Sequence, residues 1–462
     1  MAEKSAIPVE LGTEKIGRLL KQYALPAIIA QTASSLYNMV DSIFIGQGVG
    51  PLAISGLAVT FPLMNLSTAF GTLVGAGAAT MLSVLLGQKN YKAANKVLGN
   101  VVSLNVILGL LFMAVALIFI DPILYFFGAS ENTLPYAKEY IQIILYGNIV
   151  THLYFGLNAA MRSSGNPKKA MALTIFTVVF NTILDPIFIF VFDMGIAGAA
   201  WATVIAQTAA MIVVLKHFSD KSRAFHFEKG IFKLDPRVAK DSLVIGMGPF
   251  LMNAAACLVT LFINPQLRDY SGDLGIGSYG ICNRFIFMFI MICMGLNQGM
   301  QPIAGYNYGA KQYSRVKEVF WMTAKFGTIV TTICFCIGMF IPRLAAGIFT
   351  HDEALLNMSA EGMRILTIGF PIVGLQMIGT NFFQCLGMVK KSIILSLSRQ
   401  LLFLLPLLYC LPLWMGANGV WMSFPISDVL SAILTAILLR RLFKKFNTLK
   451  DGEESTILGS NL

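Results

Sequence analysis

Apolar residues in this chain run in long blocks, with neither a period-two alternation nor a stripe along one helix face. Val101–Ile120 carries no charge, and Leu397–Leu413 carries only Arg399. Blocks of roughly 20 apolar residues match the hydrocarbon thickness of a bilayer. The missing alternation argues against an outer-membrane barrel. Twelve spans follow, at about 18–46, 53–85, 96–120, 135–162, 169–192, 196–217, 239–267, 275–305, 317–341, 355–386, 391–413 and 417–440. Gly, Pro and Asn mark the breaks, as in Gly46-Gln47-Gly48 and Gly165-Asn166-Pro167. The expected organisation is an N-terminal segment 1–17, an N-lobe 18–217, a linker 218–238, a C-lobe 239–443 and a tail 444–462. The fold class is all-α integral membrane, in two six-helix lobes.

Composition agrees with this pattern. Of 462 residues, 56% are hydrophobic and 12% charged, and the mean hydropathy is +0.71. A soluble domain carries about 25% charged residues, so this chain cannot cover a water-soluble fold. The charged first twenty-one residues do not read as a cleavable signal peptide. All but five of the 34 Lys and Arg fall on one alternate set of loops, and those five are Lys138, Arg268, Arg284, Arg343 and Arg364. By the positive-inside bias, both termini and the linker are cytoplasmic. The net charge of +11 therefore reflects topology and contact with anionic lipid heads, and no solvated basic domain is present to bind nucleic acid. The seven cysteines read as small reduced hydrophobes. The four histidines show no ligand spacing, and H-E-x-x-H, Walker A and G-x-S-x-G motifs are missing. No enzyme activity or cofactor is expected, nor any metal other than a coupling sodium ion, and a monomer is expected.

The second six spans repeat the first at an offset of 222, which becomes 221 near the end. Gly87-Gln88-Lys89-Asn90-Tyr91 falls on Gly309-Ala310-Lys311-Gln312-Tyr313, and Gly165 with Lys168-Lys169 falls on Gly387 with Lys390-Lys391. An even number of spans per half makes these parallel repeats, related by an axis along the membrane normal.

Carboxylates inside a membrane are costly, so each is a functional hypothesis. Asp41 stands about five residues, or ~8 Å, before the outer end of the first span. Asp185 stands ~10 Å before the outer end of the fifth span, with Asn181 one turn earlier on the same face. Thr203 reaches a similar depth in the sixth. Two acids sharing a low-dielectric site cannot both stay charged cheaply, so one must take a proton or a cation. Asparagine and threonine oxygens would complete either a hydrogen-bond net or an oxygen cage for Na⁺. The structural alternative is an Asp-Pro kink at Asp185-Pro186 and a helix-end cap at Asp41. The corresponding C-lobe positions, Ile263, Leu402, Pro406 and Phe424, are apolar. Arg399 and Asp428 reach one depth in spans eleven and twelve and predict a structural ion pair. Arg284 in span eight fits a substrate gate or a snorkelling anchor. Pro26, fifteen residues before Asp41 on the first span, predicts a hinge.

Pro26, Asp41, Asn181-x-x-x-Asp185-Pro186 and Thr203, set on two six-helix repeats, resemble the multidrug and toxic compound extrusion (MATE) family. The likeness runs from about Tyr23 to Leu439 and is greatest to the DinF-like branch. It implies that Asp41, Asn181, Asp185 and Thr203 form the proton or sodium site of the N-lobe. Asn158 matches a further member of that network, although its residue count sets it nearer the cytoplasm. Spans seven and ten lack acids in their bodies, so the NorM-like arrangement does not carry over. The resemblance implies a secondary antiporter in the bacterial inner membrane, exporting amphiphilic organic cations and drugs in exchange for H⁺ or Na⁺. A lipid-linked precursor flippase of the same superfamily is the alternative. Pyrophosphate lipids would call for several cavity cations, and Arg284 alone fits that role.

Overall fold

The computed structural model describes residues 8–228, 230 and 232–453. Lys4, the end of the tail and the side chain of Arg268 lie outside the described residues. Among the described residues the chain is helical and contains no strand. The transmembrane elements are α1 (Ile16–Gly48), α2 (Pro51–Gly87), α3 (Tyr91–Ile118) and α4 (Leu134–Tyr146 continued by Asn148–Ser163). They continue with α5 (Pro167–Pro186) and α6 (Gly195–Ser219), then α7 (Pro236–Leu267) and α8 (Leu274–Gly309). The last four are α9 (Tyr313–Phe340), α10 (Glu353–Thr367 bent by 54° into Phe370–Cys385), α11 (Val389–Met415) and α12 (Ala417–Phe446). Among the described residues, nine helices are by themselves long and apolar enough to cross a bilayer, and α10 makes a tenth when its two arms count as one span. This is a multi-pass membrane protein of two six-helix lobes.

The repeat is written into the backbone as well as the sequence. Four pairs of residues at the repeat offset share a left-handed φ: Gly50 and Gly272 (113° and 63°), Lys89 and Lys311 (60° and 59°), Gly165 and Gly387 (94° and 70°), and Gly195 and Gly416 (57° and 58°). Lys89 and Lys311 stand where a glycine is usual, because each closes a helix by the same two bonds. Asn90 N donates to Leu85 O and Lys89 N to Leu86 O, while Gln312 N donates to Asn307 O and Lys311 N to Tyr308 O. These Schellman bonds satisfy the last helical carbonyls and hold the left-handed lysine in place.

The chain forms two compact units whose borders fall inside helices. Among the described residues, one contains Ile29–Phe250 and the segment ending at Thr13, and the other contains Glu14–Ile28 and residues 251–453. The first helix of each half is therefore divided, α1 after Ile28 and α7 after Phe250. Within the first unit, the start of α7 lies on α2, with Gly77 against the Ser242 carbonyl and Gly246 against the Leu73 carbonyl. Within the second, Gly295 and Gly299 of α8 lie against Ile28 and Ala24 of α1. Gly77 corresponds to Gly299, and Ala24 to Gly246, at the 222 offset. Both units use one seam, and glycine or alanine at its contact points lets two helix backbones approach closely.

Candidate functional site

The polar group anticipated in the first half comes together on three helices of the first unit. Asp41 of α1 and Asn181 and Asp185 of α5 are buried. Thr203 of α6 is the hub: its hydroxyl donates to Ala199 O at 3.1 Å, accepts from Asn181 Nδ2 at 3.1 Å and pairs with Tyr37 Oη at 3.0 Å. A hydroxyl has one proton and two lone pairs, so the Thr203 oxygen is saturated. Tyr37 precedes Asp41 by one turn on α1, which ties that helix to α6. The Asp41 and Asp185 side chains lie within electrostatic reach of each other. Tyr140 of α4 sits within electrostatic reach of both acids and of Thr203.

Four acceptor oxygens in this group find no donor among the described residues: Asp41 Oδ1, Asn181 Oδ1 and both carboxyl oxygens of Asp185. One turn along the chain from Asp41, Asp185 and Thr203, the residues Ile45, Ile189 and Ala199 pack with Tyr140 in one buried cluster. Unpaired buried acceptors cost about 1–3 kcal/mol each, and more when charged. Hard oxygens that converge without a donor suit a proton or a monovalent cation. The local fold helps to aim them. Pro186 has no amide hydrogen to return to the preceding turn, and α5 widens at once into a π-helical turn, Ile187–Val191. Such turns occur where a helix gives up regular pairing to direct side chains.

The other anticipated residues lie apart from this group. Asn158 is buried in α4, but its amide donates to Ala170 O at 3.1 Å. Ala170 is eleven residues before Asn181, or ~16 Å along α5, so Asn158 does not touch the acid pair. Pro26 is buried in α1, which runs through it without a break. Arg284 is exposed on α8. Arg399 Nε lies 2.6 Å from Asp428 Oδ1, and Ser427 Oγ donates to the Arg399 carbonyl at 2.6 Å. The pair fastens α11 to α12, at a second π-helical stretch, Ser398–Leu404. Tyr37 and Tyr140 are the members that sequence reasoning missed. The spacing of Tyr37 one turn from Asp41 was the available signal, whereas an aromatic at membrane depth usually reads as packing.

The MatE family profile matches residues 26–187 and 249–410. These two stretches of equal length begin at Pro26 and Pro249 and follow the repeat. The multidrug export protein MepA of Staphylococcus aureus (strain MRSA252) is 28% identical over 426 residues, covering 92% of this chain and 94% of its own. Among solved structures, the MATE multidrug transporter DinF-BH is 37% identical, with a TM-score of 0.88 over 95% of this chain and 98% of that one. An outward-facing multidrug resistance MATE family transporter of the MOP superfamily has a TM-score of 0.90 over 97% of this chain and 100% of its own. At 21% identity, that likeness speaks for the fold alone.

Proposed function

Because this chain belongs to the MatE family of multi-pass membrane transporters, we propose that it is a secondary antiporter exporting amphiphilic and cationic organic compounds. In this reading the exchanged ion is H⁺ or Na⁺, and it is coupled at Asp41 and Asp185. The observation that carries the reading is the set of four donorless oxygens around the acid pair. One proton shared between the carboxyls removes the cost of two like charges in a dry site. A sodium ion would do the same through Asp41 Oδ1, Asn181 Oδ1 and the Asp185 carboxyl. Exchange follows when ion and organic compound favour different conformations of one cavity.

Helix α1 supplies the moving part of this reading. Tyr37 and Asp41 bind its outer half to α6 and α5, and Pro26 lies fifteen residues before Asp41. Neutralising Asp41 weakens one of the two ties, so the segment beyond Pro26 bends and reshapes the N-lobe cavity. Arg284 serves as a gate for the organic substrate. In this reading the chain acts as a monomer in the bacterial inner membrane, with both termini and the linker in the cytoplasm, an orientation supported by the basic alternate loops.

Efflux from proteoliposomes under separately imposed pH and sodium gradients tests the proposal. Wild-type protein responds to one of the two gradients. Asp41→Asn and Asp185→Asn each abolish driven efflux while remaining folded and inserted, and Pro26→Ala uncouples efflux from the gradient. Wild-type efflux rates in either acid variant would refute the coupling site.

A further inference from the structure

The linker between the halves is docked along one helix of the first unit. Asn95 Nδ2 of α3 donates to Glu228 Oε1 at 2.9 Å, and Ser103 Oγ donates to Phe232 O at 2.7 Å. On the return, Asp235 N donates to Asn100 Oδ1 at 3.0 Å, and Asp235 pairs with Lys96 at 3.6 Å. The linker thus climbs α3 from Asn95 to Ser103, about 12 Å along the helix, and descends again to the start of α7. Phe218, Phe227 and Phe232 follow one another along it in tilted contact, with ring centroids 5.9 and 5.3 Å apart.

The depth of the turning point matters. Ser103 falls at the base of the charge-free run Val101–Ile120, where the hydrocarbon zone begins. It also starts the outward stripe of α3, which continues through exposed Ile107, Leu111 and Val115. The linker therefore rests on the side of α3 that faces lipid. At its tip, Phe232 is 48% and Leu234 41% exposed. No soluble segment gains by leaving both uncovered, but an interfacial one does. Lys233, Arg237 and Lys240 follow and are all exposed. Of the nearby acids, Asp235 pairs with Lys96, which leaves Glu228 and Asp241 against three cations.

We propose that this linker is a lipid-binding strap: Phe232 and Leu234 enter the bilayer interface beside α3, and Lys233, Arg237 and Lys240 recognise anionic phospholipid headgroups. Which leaflet the strap meets rests on the topology proposed above. The test does not depend on that topology or on transport.

The full chain is placed in nanodiscs of phosphatidylcholine containing a minority of phosphatidylglycerol, with a photo-crosslinking amino acid at Phe232. Irradiation followed by mass spectrometry is expected to yield lipid adducts, enriched in phosphatidylglycerol over its share of the disc. Changing Lys233, Arg237 and Lys240 together to Gln should lower that enrichment at least roughly fivefold, since one basic residue near an anionic surface is worth about that factor. Adducts to protein would overturn the interfacial placement. Lipid adducts in proportion to the disc composition, or an enrichment unchanged in the triple variant, would overturn the headgroup recognition. Should the triple variant fail to insert, the adduct identity and enrichment in the chain with native cations still decide both points.

Discussion

At the scale of single residues, Thr203 organises the site without bearing charge. Its hydroxyl proton goes to Ala199 O, and its lone pairs serve Asn181 and Tyr37. Thr203→Val keeps the shape but strands the Asn181 amide hydrogen and the Tyr37 hydroxyl in a dry place. Each stranded group costs about 1–3 kcal/mol. The variant should lose thermal stability and driven efflux together, while Thr203→Ser should keep most of both. A Val variant that melted and transported like the wild type would remove Thr203 from the site. Asp41, Asn181 and Asp185 were legible in the sequence because polar groups are expensive and rare at that depth. Tyr37 was not, since its role depends on which hydroxyl lies opposite.

At the scale of helices, the seam that each unit repeats within itself depends on the absence of side chains. A Cβ placed on Gly246 would fall inside the Leu73 carbonyl, and one on Gly77 inside that of Ser242. Gly246→Ala must push α7 off α2, so it should cost stability of the order of 1–3 kcal/mol. Gly280→Ala provides the contrast. Nothing lies within 4 Å of the added carbon, and replacing a helical glycine by alanine is worth up to about 1 kcal/mol. Thermal melts in one detergent compare the two directly. Equal melting temperatures would mean that the seam tolerates separation. The spans themselves were legible from apolar run length, but the 54° bend in α10 and the break in α4 at Gly147 were not.

At the scale of the whole molecule, one repeat built two lobes, and among the described residues only the N-lobe carries a pair of buried acids. The C-lobe counterparts are apolar, with Ile263 buried among hydrophobic neighbours and Leu402 exposed. Its buried acid, Asp428, is instead paired with Arg399. Removing one partner of a buried ion pair costs about 3–5 kcal/mol, whereas replacing both with apolar residues is often neutral. Asp428→Asn should therefore lower the melting temperature and leave the ion dependence of efflux unchanged. The double change Arg399→Met with Asp428→Leu should recover most of the loss. If Asp428→Asn stopped transport without lowering thermal stability, the structural role of the pair would be wrong.

The sequence alone determined what the bilayer enforces. A helix must run about 20 apolar residues to cross hydrocarbon, so the spans, the repeat and the costly acids stand out in one dimension. The depth of a residue is likewise a count along a helix, which is why Asp41, Asp185 and Thr203 could be grouped beforehand. The azimuth around each helix, and the neighbour it meets there, belong to the tertiary structure. That is why Tyr37 joined the site while Asn158 bonds to Ala170, ~16 Å along α5 from Asn181. It is also why α1 and α7 are divided between the two units, and why the charged linker lies along α3. Side-chain contacts across helices depend on rotation and tilt. Packing sets both, and neither leaves a period in the chain.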